Sequence, residues 1–417
     1  MNDVHAHITK EVNFYGKTGP QALLEQYGSP LYVYNEKILR QRCRDMKHLI
    51  SYPHFEVNYS VKANGNLSLL KTIKEEGLNA DAMSPGEIYV ELEAGFSPEQ
   101  ILYIGNNVSA EELQYAIDHK VKISVDSVSQ LELYGKLNPG GEVAVRFNPD
   151  VGAGHHEKVV TGGKKTKFGV QKRYIADVKA LLQRYDLRLI GINQHIGSLF
   201  MNGEPYLEGI ASLLDIAKQF DDLEFIDFGG GFGIPYHKQD GETRLDLRQL
   251  GDALDHTLQH WVKEYGKNVT FKIEPGRYIV AECGVLLGTV HAVKRNYDIK
   301  YIGTDLGFNV LMRPILYESF HDVEIYRPGD KTSSQQEEVR IVGNICETGD
   351  MIAKDRMLPE IFEGDVLGIL DAGAYGFAMS SNYNNRLRPA EVMITESGED
   401  VLIRKRDTFE DLLRNFA

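Results

Sequence analysis

From about residue 55 to 275 the chain repeats one pattern. A short run rich in β-branched and aromatic residues is followed by a Gly, Asn, Ser or Asp break, then by a stretch with apolar residues three and four apart. The short runs are 55–61 (FEVNYSV), 79–83, 101–104 (ILYI), 121–125 (VKISV), 142–147 (EVAVRF), 189–194 (LIGINQ), 223–228 (LEFIDF) and 270–274 (TFKIE). Leu67/Leu70/Ile73, Leu113/Ala116/Ile117, Val178/Leu181/Leu182 and Ile210/Leu213/Leu214/Ala217 put one apolar stripe on each of four intervening helices. Eight strands alternating with helices predict a (β/α)8 barrel. Strand count alone does not show closure, so a doubly wound sheet stays open as the alternative.

After residue 277 the period changes from helical to alternating. Val285–Lys294, Lys300–Gly303, Glu338–Val342, Val366–Leu370, Glu391–Thr395 and Val401–Arg404 read as strands separated by turns, and helical spacing returns only at Thr408–Asn415. This predicts a mostly antiparallel β-barrel or sandwich, giving an α/β plus all-β chain. The leader holds one strand-like run, Leu31–Tyr34, and 331–337 (KTSSQQE) reads as a polar loop. The expected division is a barrel over 36–280 and a β domain built from 1–35 and 281–417.

Composition narrows the function. With 417 residues, 42% hydrophobic and 25% charged, the chain suits an ordinary two-domain globular protein. A net charge of -14 argues against a nucleic-acid partner, which calls for a basic face. The start, MNDVHAHITK, lacks a signal-peptide pattern, and no apolar run approaches the ~18 residues of a membrane span. Cys43, Cys283 and Cys346 lack metal-ligand spacing, which fits a reducing, cytoplasmic setting.

Barrel enzymes gather their chemistry where the strands end and the βα loops begin. Six of the eight runs end in residues of unusual chemistry: Lys62-Ala63-Asn64; Asp81 and Ser84, with Glu87; Arg146 and Asn148; His195, Gly197 and Ser198; Gly229-Gly230-Gly231-Phe232-Gly233; and Glu274-Pro275-Gly276-Arg277. Successive glycines let a backbone approach a phosphate, and barrels place phosphate sites after the last two strands. A triple glycine alone equally suits a plain turn, but the glycine of the neighbouring EPGR loop favours the phosphate. Lys62, at the end of an apolar strand where desolvation favours the neutral amine, suits a Schiff base with an aldehyde. A strand-end lysine alone is more often a solvated surface residue. A pyridoxal cofactor calls for further groups: an acid for the ring nitrogen (Glu274), a flat partner for the ring (His195) and a phosphate cradle (Ser198 and the glycines). In the β region, Cys346-Glu347 lies in a turn-like sequence suited to an exposed proton donor, although a lone Cys is usually a small buried hydrophobe.

These residues resemble the fold-type III pyridoxal-phosphate decarboxylases, most closely their diaminopimelate decarboxylase branch. The similarity runs from about residue 14 to 404 and rests on YSVKANGN (59–66), DAMSPGE (81–87), QHIGS (194–198), DFGGGFG (227–233), EPGRYIV (274–280), MRPILY (312–317), CETGD (346–350), DAGAYG (371–376) and NYNNRLRPAEV (382–392). The resemblance implies pyridoxal 5'-phosphate carried on Lys62, with His195 on the ring and Glu274 at its nitrogen. Asp81, Ser198, Gly230, Gly231, Gly276, Arg277 and Tyr375 complete the implied cofactor site. It further implies a homodimer with shared active sites, in which the partner subunit supplies the proton donor Cys346 together with Glu347, and no metal.

Diaminopimelate carries an amino-acid group at each end, so its enzyme meets a distal carboxylate as well as a distal ammonium. Arg277, Arg313, Tyr317 and Tyr375 are the implied substrate contacts, because the arginine fork matches a carboxylate in two-point contact; Glu347 would meet the ammonium. The implied reaction is decarboxylation of meso-diaminopimelate to L-lysine. The branch shows Glu after the Cys, where ornithine-type enzymes usually carry Asp. Two departures stand out. Asp305–Asn309 carries Leu306 and Phe308 where relatives have other residues, and the loop Gly152–Gly163 holds a His155-His156 pair without further ligands nearby. Rival expectations are a decarboxylase of ornithine, lysine, arginine or carboxynorspermidine, an alanine racemase-like enzyme, and a non-catalytic binding protein on the same scaffold.

Overall fold

All eight predicted runs become strands of one parallel barrel: Phe55–Ser60, Asn79–Ala82, Ile101–Tyr103, Lys122–Val125, Glu142–Asn148, Arg188–Asn193, Phe225–Asp227 and Thr270–Ile273. The computed structural model describes residues 8–149, 153–154, 163, 166–327 and 335–417. Closure comes from the eighth strand pairing with the first, Phe271 opposite Phe55 and Ile273 opposite Val57, while the fourth and fifth pair through Ser124–Ala144. The doubly wound alternative is thereby excluded. Strands buried on both faces read as continuous apolar runs. Helices start almost at once after several strands because a side chain caps each first turn: Asn66, Ser84, Ser109 and Ser127 accept a backbone N–H two or three residues on. Short connections keep strand-end residues at one rim.

Two compact units divide the chain. The barrel unit is Arg40–Ile234 with Arg244–Ile279; the other joins the N-terminal stretch to Leu39, Pro235–Thr243 and Val280–Ala417. In the second unit the strand order is Met351–Pro359, Gln336–Val342, Ile299–Thr304, Gly284–Asn296, Leu31–Asn35, Ala390–Ile394 and Asp400–Arg404, with Val366–Ile369 bridging Gly284–Asn296 and Val323–Tyr326. Leu31, Val33, Val285, Leu287, Val366, Val392 and Ile394 form its core.

The sheet is mostly antiparallel, as expected, but two of its pairings are parallel. Leu31–Asn35 runs parallel to Ala390–Ile394, and Ile299–Thr304 parallel to Gln336–Val342. Parallel partners require long connections, and here one partner arrives from the opposite end of the chain, which local pattern does not reveal. Met351–Pro359 escapes the pattern because Lys354-Asp355-Arg356 interrupts its apolar alternation; at the sheet edge such charges are tolerated. The expected polar loop at 331–337 gives way to strand at Gln336; 331–334 lie outside the described residues, as does the His155-His156 pair.

One barrel helix carries a cost. Glu91, on Pro85–Glu93, is 0% exposed and neither carboxylate oxygen has a hydrogen-bond partner. Burial first, then the neighbouring charges of Asp81 and Glu87, push its carboxyl up to about 9. Between the ordinary carboxyl value and that one the folded state holds a proton the unfolded state has lost, so stability falls as pH rises. The melting temperature is therefore expected to fall between pH 5 and 8. Glu91→Gln should remove a share of that fall worth up to roughly 3 kcal/mol. Parallel melting curves of variant and parent would count against this account of Glu91.

Candidate active site

Lys62 lies in the single 3-10 turn Val61–Ala63 that leaves the first barrel strand. Its ammonium acts electrostatically on Asp81 and Glu87, from the second strand's end and its following helix, on His195 beyond the sixth, and on Glu274 beyond the eighth. The barrel therefore brings Lys62, Asp81, His195 and Glu274 to one rim. Ser60 Oγ donates to Asp81 Oδ2 at 3.1 Å, tying the first two strand ends together.

Gly230 and Gly231 are required by close approach. A Cβ on Gly230 would stand 2.0 Å from the Glu274 carbonyl oxygen, and one on Gly231, at φ +107°, would stand 2.5 Å from the Gly197 carbonyl. The Gly230 N–H donates to His195 Nδ1 at 3.1 Å, so this backbone group orients the imidazole. Arg277 donates from Nη2 to Ser198 Oγ at 2.9 Å, joining the loops after the sixth and eighth strands. At Gly276 a Cβ would lie 3.0 Å from Ser60 Cβ and 3.1 Å from Ala63 Cβ, so its loop packs tightly on the Lys62 turn.

The electrostatics have a consistent direction. Because His195 Nδ1 accepts from Gly230, the ring carries its proton on Nε2; burial, then the Lys62 and Arg146 charges, hold its pKa well below the ordinary histidine value. Its 3.9 Å approach to Glu274 is thus that of a neutral ring, not an ion pair. Glu274 is held well above the carboxylate range by burial, then by Asp227 and Asp81, with Lys62 and Arg146 pulling the other way. Its buried Oε1 has no hydrogen-bond partner. Burial likewise pushes Asp81 up to about 7 against the pull of Lys62.

An acid in this state awaits a polarised N–H. A pyridine nitrogen meets that need, a neutral imidazole suits a ring face, and the glycine backbone and the Ser198–Arg277 pair suit a phosphate. The residues present fit pyridoxal phosphate. Among the described residues no group of His, Cys, Asp or Glu is arranged to hold a metal ion.

The remaining predicted residues lie in the second unit. Arg313 and Tyr317 bound the short helix Arg313–Tyr317, and the Arg313 guanidinium sits 4.7 Å from the centre of the Tyr236 ring. Tyr375 has a left-handed φ of 56°, uncommon for a bulky side chain. Cys346 and Glu347 are exposed on a loop pinned at its base by Asp350, whose buried carboxylate accepts from the N–H groups of Ile345 and Phe308, each at 2.7 Å. Asn384, itself at φ 55°, accepts the Cys346 N–H at 2.9 Å, and Tyr383 donates to Glu347 Oε1 at 2.5 Å.

Sequence reading missed Asp227 and Asn384. Asp227 precedes the glycine run and accepts the Gly229 N–H at 2.9 Å, so its position at a strand end was the available signal. Asn384 sits inside the 382–392 motif.

The family described as the pyridoxal binding domain of pyridoxal-dependent decarboxylases matches residues 36–281. The diaminopimelate decarboxylase of Methanothermobacter thermautotrophicus is 45% identical over 94% of this chain and 92% of its own length. That of Archaeoglobus fulgidus is 36% identical over 94% and 93%. Among solved structures, diaminopimelate decarboxylase from Helicobacter pylori in complex with L-lysine superposes with a TM-score of 0.86 at 31% identity, covering 95% of this chain and 98% of that one.

Proposed function

The chain belongs to the diaminopimelate decarboxylases, within the pyridoxal-dependent decarboxylases, and from that membership we propose that it converts meso-diaminopimelate to L-lysine and CO2. The observation that carries this reading is the buried Glu274 carboxyl with an unsatisfied oxygen, beside a neutral His195 and within reach of the Lys62 charge. Bound pyridoxal phosphate supplies an aldehyde for the substrate amine and a ring that accepts the electron pair left by departing CO2.

This chain's residues do the rest. With pyridoxal phosphate bound, the Lys62 amine would hold its aldehyde, with Asp81 close by. His195 would pack on the ring, and Glu274 would keep the ring nitrogen protonated. Ser198, Gly230, Gly231, Gly276 and Arg277 would hold the phosphate, and Tyr375 is a further proposed contact. Arg277, Arg313 and Tyr317 orient the substrate by its distal carboxylate and Glu347 meets the distal ammonium, so that the D-centre reacts. Cys346 Sγ–H delivers the proton that replaces CO2 at Cα. Cys346 and Glu347 act in the site of a second copy of the chain, a reading supported by their exposure. The same reading places the enzyme in the cytoplasm, in keeping with three cysteines that form no disulfide. No helix among the described residues is long and apolar enough to cross a membrane.

Purified protein given meso-diaminopimelate should release CO2 and form L-lysine. Ornithine, lysine, arginine and carboxynorspermidine should be poor substrates. Faster CO2 release from any of these four would move the assignment to that amino acid. Cys346→Ala should still bind cofactor and substrate, with kcat lower by about 10²- to 10⁴-fold, the usual contribution of a placed acid; an unchanged kcat in single-turnover assays would remove Cys346 from the reaction.

A further inference from the structure

Asp227 ends the seventh barrel strand, and Lys272 lies opposite it on the eighth. Glu274 follows two residues on, and its N–H is bonded to the Gly229 carbonyl at 3.0 Å, so the ladder continues past the strand. Paired residues and residues two apart share a face. Asp227, Lys272 and Glu274 therefore face the same side of the sheet, with Asp227 one step deeper than Glu274. Asp227 is 0% exposed and Glu274 4%. Asp227 Oδ1 accepts the Gly229 N–H at 2.9 Å, but Asp227 Oδ2 and Glu274 Oε1 are both buried without a hydrogen-bond partner. Two neighbouring acids in a dry interior resist ionising together.

The surroundings decide which of them keeps its proton. Lys272 is 2% exposed and pairs with Glu56 at 2.5 Å, bringing a buried cation to Asp227. Burial raises Asp227 to about 6; the Gly229 N–H, then Lys272, then Glu274 pull it down, and Glu56 opposes them. Burial holds Glu274 higher still, with Asp227 and Asp81 pushing the same way against Lys62 and Arg146. His195 is neutral, and Tyr206, whose hydroxyl donates to the Gly229 carbonyl at 3.0 Å, keeps its proton. At neutral pH the charge lies on Asp227 and the proton on Glu274.

We propose that Asp227 is a positioning residue acting through Glu274: its charge, lodged beneath that acid, holds the proton in the contact that Glu274 makes with the cofactor's ring nitrogen. The proposal rests on the reading of Glu274 as the ring-nitrogen partner. A negative charge in a low-dielectric interior favours any proton bound nearby, on the acid or on the nitrogen. The carboxylate thus does two things, since Oδ1 shapes the glycine loop while the charge serves Glu274.

Two substitutions separate these roles. Asp227→Asn keeps an oxygen for the Gly229 N–H and removes the charge; Asp227→Ala removes both. In holoenzyme loaded with pyridoxal phosphate carrying nitrogen-15 in its ring, the pH midpoint for loss of the proton should fall by about one unit or more in each variant, a tenfold loss of proton affinity. The dissociation constant of pyridoxal phosphate at pH 6 should stay within about threefold in Asp227→Asn and rise about tenfold or more in Asp227→Ala. Because Glu274 holds its proton above the ordinary value, folding is penalised as pH rises, and cofactor-free Asp227→Asn should melt above the parent at pH 8. That gain should shrink in the Glu274→Gln background, as coupled sites require. The alanine variant reads the same charge loss if the asparagine protein fails to fold. An unmoved midpoint would reduce Asp227 to a structural role and overturn the proposal, whatever cofactor binding does. A ring nitrogen whose signal ignores Glu274→Gln would count instead against Glu274 as its partner.

Discussion

Lys62→Ala protein is expected to purify without the yellow colour of bound cofactor and to lose kcat/KM by roughly 10⁴-fold or more, since it removes the group that carries the covalent chemistry. The effect should be large because, among the described residues, Lys62 is the lysine whose charge acts on Asp81, His195 and Glu274 together. Lys62 stands in a single 3-10 turn beside the Gly276 loop, where a Cβ on Gly276 would lie 3.1 Å from Ala63 Cβ, so the turn has little room to shift. The fold should survive: the lysine is only partly buried, and its loss removes a charge rather than a core side chain. Absorbance before and after borohydride, with a melting curve, separates loss of the covalent link from loss of structure. Full activity in this variant would end the assignment of Lys62.

Glu274→Gln should act in opposite directions on stability and rate. Without cofactor the buried acid is held protonated against its ordinary tendency, so folding is penalised as pH rises above the usual carboxyl value. An amide of the same shape cannot ionise and escapes that penalty. The cofactor-free variant should melt at or above the parent's temperature at pH 7 to 8. With cofactor bound, the amide cannot hold a ring nitrogen protonated, and kcat should fall by about 10²- to 10³-fold, the scale of losing one placed electrostatic partner. Such a trade of stability for chemistry is expected where a site is kept strained for function. A variant both less stable and equally active would contradict this account of Glu274.

Much of this was legible in the sequence, for a physical reason. In a parallel barrel each strand is buried on both faces and each helix packs outside it, so strand, break and helix are written locally as 223–228 or 270–274 show. Strand ends then list the candidate site: Lys62, His195 and Glu274 each follow a strand in the sequence, and the barrel brings them to one rim. Sheet partners in the second unit were not legible, since Leu31–Asn35 pairs with Ala390–Ile394 from the far end of the chain. The charge states of Glu91 and Glu274 also escape sequence, because they follow from burial and from neighbours contributed by other strands.

The turn that presents Cys346 and Glu347 owes its shape to Asp350 and Asn384, not to the two residues it displays. Frame and message are therefore separable. On the proposed role of Glu347, exchanging that acid would alter the contact with the substrate amine while Asp350 and Asn384 keep the turn.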